Sequence, residues 1–201
     1  VVDVPLLGPI PFGAGVLFFP ISYIFGDILT EVYGYARARR VIWAGFGAMI
    51  FASIMAAVVV ALPPASWWQN QKAYEVAFGN TWRIAGASMI AFWVGEFVNS
   101  FILARMKVAS QGKRMGFRFV VSTLFAEIVD SALFYPLAFY GSGIMPDARV
   151  LELVWAQAGL KTLVEIAFLP LTYIIVNALK RAEGEDYFDR DTNFTPFSMK
   201  A

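Results

Sequence analysis

Residues 41–62 read VIWAGFGAMIFASIMAAVVVAL, and this stretch decides the fold. Its 22 residues carry no charge, with Ser53 as the only polar side chain. As a helix rising about 1.5 Å per residue, it spans the roughly 30 Å hydrocarbon core of a bilayer. Pro63-Pro64 ends it, because proline lacks the amide N–H and clashes with the preceding turn. Four comparable stretches lie on either side, at 10–33, 82–106, 117–140 and 153–179. Pro20, Pro136 and Pro170 fall inside them, as membrane bundles tolerate where neighbouring helices satisfy the freed backbone groups. The whole chain of 201 residues is 59% apolar with a mean hydropathy of +0.62. A soluble domain would be roughly 45–50% apolar. The expected fold is an all-α, polytopic membrane helix bundle over 1–182, followed by a polar cytoplasmic tail at 183–201. Five spans are visible. The chain opens on Val1-Val2 with no initiator methionine, and a sixth helix is expected upstream.

Basic residues set the orientation. Arg37, Arg39 and Arg40 follow the first span. Arg105, Lys107, Lys113, Arg114 and Arg118 surround the third loop, and Lys180, Arg181, Arg190 and Lys200 lie at the C-terminal end. The two intervening loops hold only Lys72 with Arg83, and then Arg149. By the positive-inside rule, the basic loops and the C-terminus face the cytoplasm and Val1 lies outside. The expected location is the plasma (inner) membrane. The loop at 63–81 mixes Trp67, Trp68, Tyr74 and Phe78 with polar residues, a composition suited to a short interfacial helix, with a pocket lid as the alternative. The tail after Glu183 carries Glu185, Asp186, Asp189 and Asp191 and reads as a solvated, mobile end.

The chain has no cysteine and no histidine, which removes disulfides, thiolate nucleophiles, imidazole bases and most zinc or haem sites. No cofactor, metal or covalent chemistry is expected. With a net charge of +1 and its basic residues placed by topology, the chain offers nothing for nucleic acid.

Inside the spans stand Asp27, Glu31, Glu96, Glu127, Asp130, Glu165 and Lys161. A charge at bilayer depth costs at least about 2.5–3.5 kcal/mol, so such groups face a bundle interior or a wet cavity. Glu127 and Asp130 are i, i+3 and share a face with Thr123 and Phe134. Lys161 and Glu165 are i, i+4 and can pair, either as a purely structural tie or within a site. Glu96 and Asn99 share a face, with Trp93 one turn before. Tyr23, Asp27 and Thr30 form one stripe, while Glu31 is close enough to Arg37–Arg40 to snorkel toward them. Four helices thus bring polar faces to one depth. Carboxylates, an amide and aromatic rings suit a flat heterocycle that offers N–H donors, and an excess of acid also suits a cationic substrate or proton coupling.

Four stretches carry a family resemblance: FPISYIFGDILTEVYGYARARR at 19–40, WRIAGASMIAFWVGEFVNSFILARMK at 82–107, STLFAEIVDSALFYPLAF at 122–139 and LKTLVEIAFLPLTY at 160–173. With these the chain resembles the queuosine precursor transporters, also called the vitamin uptake transporter family. The resemblance implies a six-helix membrane protein similar in fold to the substrate-binding subunits of energy-coupling-factor importers. It also implies uptake of 7-deazaguanine precursors of queuosine, and it covers Asp27, Glu96, Asn99, Asp130, Lys161 and Glu165. The expected substrate-binding set is Tyr23, Asp27, Trp93, Glu96, Asn99, Glu127, Asp130, Lys161 and Glu165. The expected partners are a nucleobase and the bilayer, and a homodimer is compatible with the sequence. Two rivals are an energy-coupling-factor binding subunit, which would co-purify with an ATPase, and a membrane-embedded transferase, which would need a carboxylate-bound metal.

Overall fold

A computed structural model describes residues 2–4, 8–10, 19–79, 82–143 and 146–198. It places α1 at Phe19–Tyr33, α2 at Tyr35–Ala61, a short α3 at Gln71–Tyr74, α4 at Trp82–Ala109, α5 at Met115–Phe139 and α6 at Ala148–Glu183. Ahead of them, β1 (Val2–Val4) pairs antiparallel with β2 (Gly8–Ile10), in the register Val2 opposite Ile10. The first span therefore does not begin at Ile10. Pro9 cannot donate to a helix ladder, and Val2 and Val4 are β-branched residues that favour a strand. Residues 11–18 lie outside the described set. Three helices are long and apolar enough to cross a membrane: Tyr35–Ala61, Trp82–Ala109 and Arg149–Glu183. Of the other two, α5 has the length but carries Arg118, Glu127 and Asp130, and α1 has 15 described residues.

Gly34 separates α1 from α2. Its φ of 84° lies in the left-handed region, which costs glycine little and other residues more. A Cβ there would also strike Tyr187 at 2.3 Å. The chain passes directly into α2, so the two helices change direction without a loop.

In the bundle, α5 packs along both α4 and α6, and α1 lies against α6, α4 and α2. Lipid tails are as apolar as leucine, so close van der Waals fit rather than water exclusion holds membrane helices together. Small residues permit that fit. Buried Ala87, Ala91 and Gly95 line α4, and a Cβ on Gly95 would come within 3.3 Å of Asp130 Cβ and 3.5 Å of the Ala126 carbonyl. One apolar cluster joins Ile24, Ile28 and Val32 of α1 to Leu103, Phe119 and Val176. A second joins Tyr35, Ile42, Phe97 and Ala104.

None of the most apolar 18-residue window of α2 is buried, and Phe51, Ile54 and Val58 stand exposed. In water such a surface would be an aggregation liability. A bilayer is the surrounding that such a surface suits.

Polar contacts tie the start of α4 to the end of α5. Arg83 donates to the Leu137 carbonyl at 2.6 Å and also to the Tyr140 carbonyl, covering the orphan acceptors at the C-terminus of α5. In the 63–81 loop, α3 continues as a π-helical turn over Glu75–Gly79, with Trp67 and Trp68 exposed.

Candidate functional site

Helical spacing explains why the polar residues meet. In α1, Tyr23, Asp27 and Thr30 fall on one stripe, as do Glu96, Asn99 and Ser100 in α4. The same holds for Thr123, Glu127 and Asp130 in α5, and for Lys161 and Glu165 in α6. All of these side chains are buried, each under 10% exposed as a residue.

They form two linked networks. In the first, Asn99 Nδ2 donates to Asp27 Oδ1 at 2.7 Å, and Thr123 Oγ1 donates to Glu165 Oε1 at 2.6 Å. Thr123 also lies 3.5 Å from Asn99 Oδ1, and Asp27 and Glu165 are hydrogen-bonded to each other. Beside this network, Thr30 Oγ1 donates to Ser100 Oγ at 3.0 Å. In the second, Lys161 Nζ lies 2.6 Å from Asp130 Oδ2 and 2.9 Å from Glu127 Oε2. The ammonium thus sits between the two carboxylates. The expected pairing of Lys161 with Glu165 is corrected: Glu165 turns to Thr123, and Asp130 and Glu127 take the lysine. Spacing along one helix puts Lys161 and Glu165 within reach, but contact across helices is shorter here.

Glu96 differs from the others. It lies within electrostatic reach of Glu127, Asp130 and Glu165, and its Oε1 has no hydrogen-bond partner among the described residues. The same holds for buried Ser131 Oγ, which the sequence reading did not single out. Five buried carboxylates (Asp27, Glu96, Glu127, Asp130 and Glu165) therefore share the interior with Lys161. One ammonium offsets one negative charge. The rest need protons, or a ligand that donates N–H groups or brings positive charge.

Trp93 sits in an aromatic cluster. Its ring packs with Trp43, Phe46, Phe97 and Phe197, at centroid distances of 5.2, 5.8, 5.1 and 6.2 Å.

Below the site lies a second ionic cluster. Glu31 is fully buried, and its Oε1 receives Arg118 Nη2 at 2.6 Å and Lys180 Nζ at 2.8 Å, with Lys107 Nζ at 3.9 Å. This corrects the expectation that Glu31 snorkels toward Arg37–Arg40. The partners that outcompete those arginines come from α4, α5 and α6. Asp186 closes the cluster, 2.6 Å from Lys107 and 2.8 Å from Lys180. Burial opposes ionisation of Asp186, but hydrogen bonds and charge from these two lysines hold its pKa below the usual carboxylate value.

The tail is docked, not free. Asp189 is buried and accepts the Tyr35 amide at 3.0 and 3.1 Å, capping α2 from 154 positions away. Arg39 donates to the carbonyls of Asn193 and Thr195, and Trp43 Nε1 to that of Pro196, at 2.7–2.8 Å. The expectation of a mobile end fails because this segment supplies backbone acceptors and aromatic rings as well as charge.

Comparison with known proteins agrees with this architecture. A family model described as a putative vitamin uptake transporter matches residues 13–175. A queuosine precursor transporter of Escherichia coli (strain K12) is 31% identical over 82% of this chain and 73% of its own length. Probable queuosine precursor transporters of Bacillus subtilis (strain 168) and Haemophilus influenzae are each 28% identical, over 73% and 83% of this chain and 64% and 69% of theirs. No solved structure matches. The chain belongs to the vitamin uptake transporter family, a family of membrane transporters and not of enzymes.

Proposed function

We propose that this family member imports a queuosine precursor, a 7-deazaguanine-type base, through the polar interior formed by α1, α4, α5 and α6. The observation that carries the reading is the imbalance of acceptors over donors there. Five carboxylates surround one ammonium, and Glu96 Oε1 has no hydrogen-bond partner among the described residues. A deazaguanine presents a ring N–H and an exocyclic amine, which are the donors such a site lacks. Relatives named as queuosine precursor transporters support the substrate class. The binding set is Tyr23, Asp27, Glu96, Asn99, Glu127, Asp130, Lys161 and Glu165, with Trp93 as a neighbouring aromatic wall. The orientation belongs to the same proposal: the Glu31 cluster and the docked tail face the cytoplasm, as the basic loops require.

The test is a thermal-shift screen of purified protein in detergent against free purines and 7-deazapurines. A ligand that binds only the native state raises its melting temperature by mass action. 7-Deazaguanine should give the largest shift. A shift from ordinary purines with none from deazaguanine would overturn the substrate assignment.

A further inference from the structure

A cleft of about 160 Å³, open on one side where Phe25 and Val41 are exposed, lies between α1, α2 and α4. Its walls are Phe25, Leu29, Val41, Ile42 and Phe92, with Gly26 and Gly45 among the small residues that widen it. One charged side chain lines it, Glu96, which is 3% exposed and whose Oε1 has no hydrogen-bond partner among the described residues. Apolar walls with one oriented polar group are the usual make-up of a small-molecule site. Drug-sized sites run to roughly 300–1,000 Å³, so this one suits a single small ring system.

Resting on the proposed function, we infer that this cleft is where the base sits, with Glu96 as the acceptor for its N–H edge. The flat faces of the ring lie against the apolar walls, and the ring N–H and exocyclic amine point at the carboxylate. Glu127, Asp130 and Glu165 lie within electrostatic reach of Glu96, so a ligand that donates N–H groups to it offsets their mutual repulsion. Gly26 keeps the carboxylate in place: a Cβ there would lie 2.7 Å from Glu96 Oε2 and displace it. Gly45 sits on the α2 side, and a Cβ there meets nothing within 4 Å. A larger side chain at 45 therefore enters open space at the rim of the cleft without a clash at its first atom.

Equilibrium binding of labelled 7-deazaguanine to purified protein tests this, using wild type, Glu96→Gln and Gly45→Leu. Both variants should bind at least about tenfold more weakly, with unchanged melting temperatures in the absence of ligand. 7-Deazahypoxanthine, which lacks the exocyclic amine, should bind wild type at least about tenfold more weakly than 7-deazaguanine. If wild type binds and both variants match it, the cleft is not the site, while the proposed import function stands. If wild type ignores deazaguanine but binds another N–H heterocycle (adenine, guanine or cytosine) in a manner that Gly45→Leu abolishes, the cleft stands and the substrate class falls. Binding of none of these bases overturns both.

Discussion

Removing the Lys161 ammonium leaves Glu127 and Asp130 facing the space it filled, 2.9 and 2.6 Å from where Nζ lay. Breaking a buried pair by deleting one partner typically costs about 3–5 kcal/mol, because the charge left behind is uncompensated. Lys161→Met should therefore destabilise the protein strongly, and adding Asp130→Asn should restore part of that loss. Adding Glu165→Gln should restore less, since Glu165 is satisfied by Thr123. Thermal unfolding of the single and double variants in detergent checks this. Equal rescue by both second changes would contradict the assigned pairing. Gly26→Ala belongs to the same scale. Its added methyl would push Glu96 out of position and weaken ligand binding without altering charge. Which residues are polar and buried was legible from the sequence, because an apolar span makes each carboxylate conspicuous. Who pairs with whom was not. Spacing along one helix ranks neighbours on that helix, whereas Lys161 reaches 31 positions back to Asp130 and Glu31 reaches 87 forward to Arg118.

At the scale of elements, the helices follow from hydrophobic runs closed by glycine and proline, and their bounds lie within a few residues of those runs. The exceptions have local causes. Gly34 lets α2 begin at Tyr35, well before the uncharged run at Val41, so Arg37, Arg39 and Arg40 are helical. The tail was illegible, since its acidic composition resembles solvated chain and its partners lie some 150 positions away. Its docking makes two predictions. A hydrogen bond to a charged group, such as that from the Tyr35 amide to Asp189, contributes about 1.5–3 kcal/mol. Asp189→Ala should therefore loosen the strap, seen as faster proteolysis at residues 184–198 while the bundle stays intact. Cleavage at the wild-type rate would contradict the capping role. Acid should act similarly through Asp186. Its pKa is depressed by Lys107 and Lys180, so its contribution is complete above the ordinary carboxylate range and is lost as pH falls through the lower folded value. Tail proteolysis should accelerate on acidification in wild type, and Asp186→Asn should lose this component of the pH dependence.

For the molecule as a whole, an exposed apolar α2, an ionic cluster around Glu31 and a buried acidic core fit the proposed import of a polar ligand through a bilayer. The orientation is open to labelling, because the chain has no native cysteine. A thiol introduced as Lys113→Cys, at an exposed position in the α4–α5 turn, should react with an impermeant reagent only after cells are opened. Reaction in intact cells would invert the topology. The central claim, that the buried carboxylates receive the base during import, is tested most directly by uptake of labelled 7-deazaguanine into proteoliposomes at concentrations well below saturation. Asp130→Asn is the informative variant. It keeps the shape of the side chain and leaves Glu127 beside Lys161. Loss of a charged acceptor costs about 1–3 kcal/mol, and 1.4 kcal/mol is one decade. Wild-type vesicles should accumulate the base, and Asp130→Asn vesicles with equal protein content should do so at least about tenfold more slowly. Equal uptake by the two, or wild-type uptake no greater than that of empty vesicles, would contradict the account.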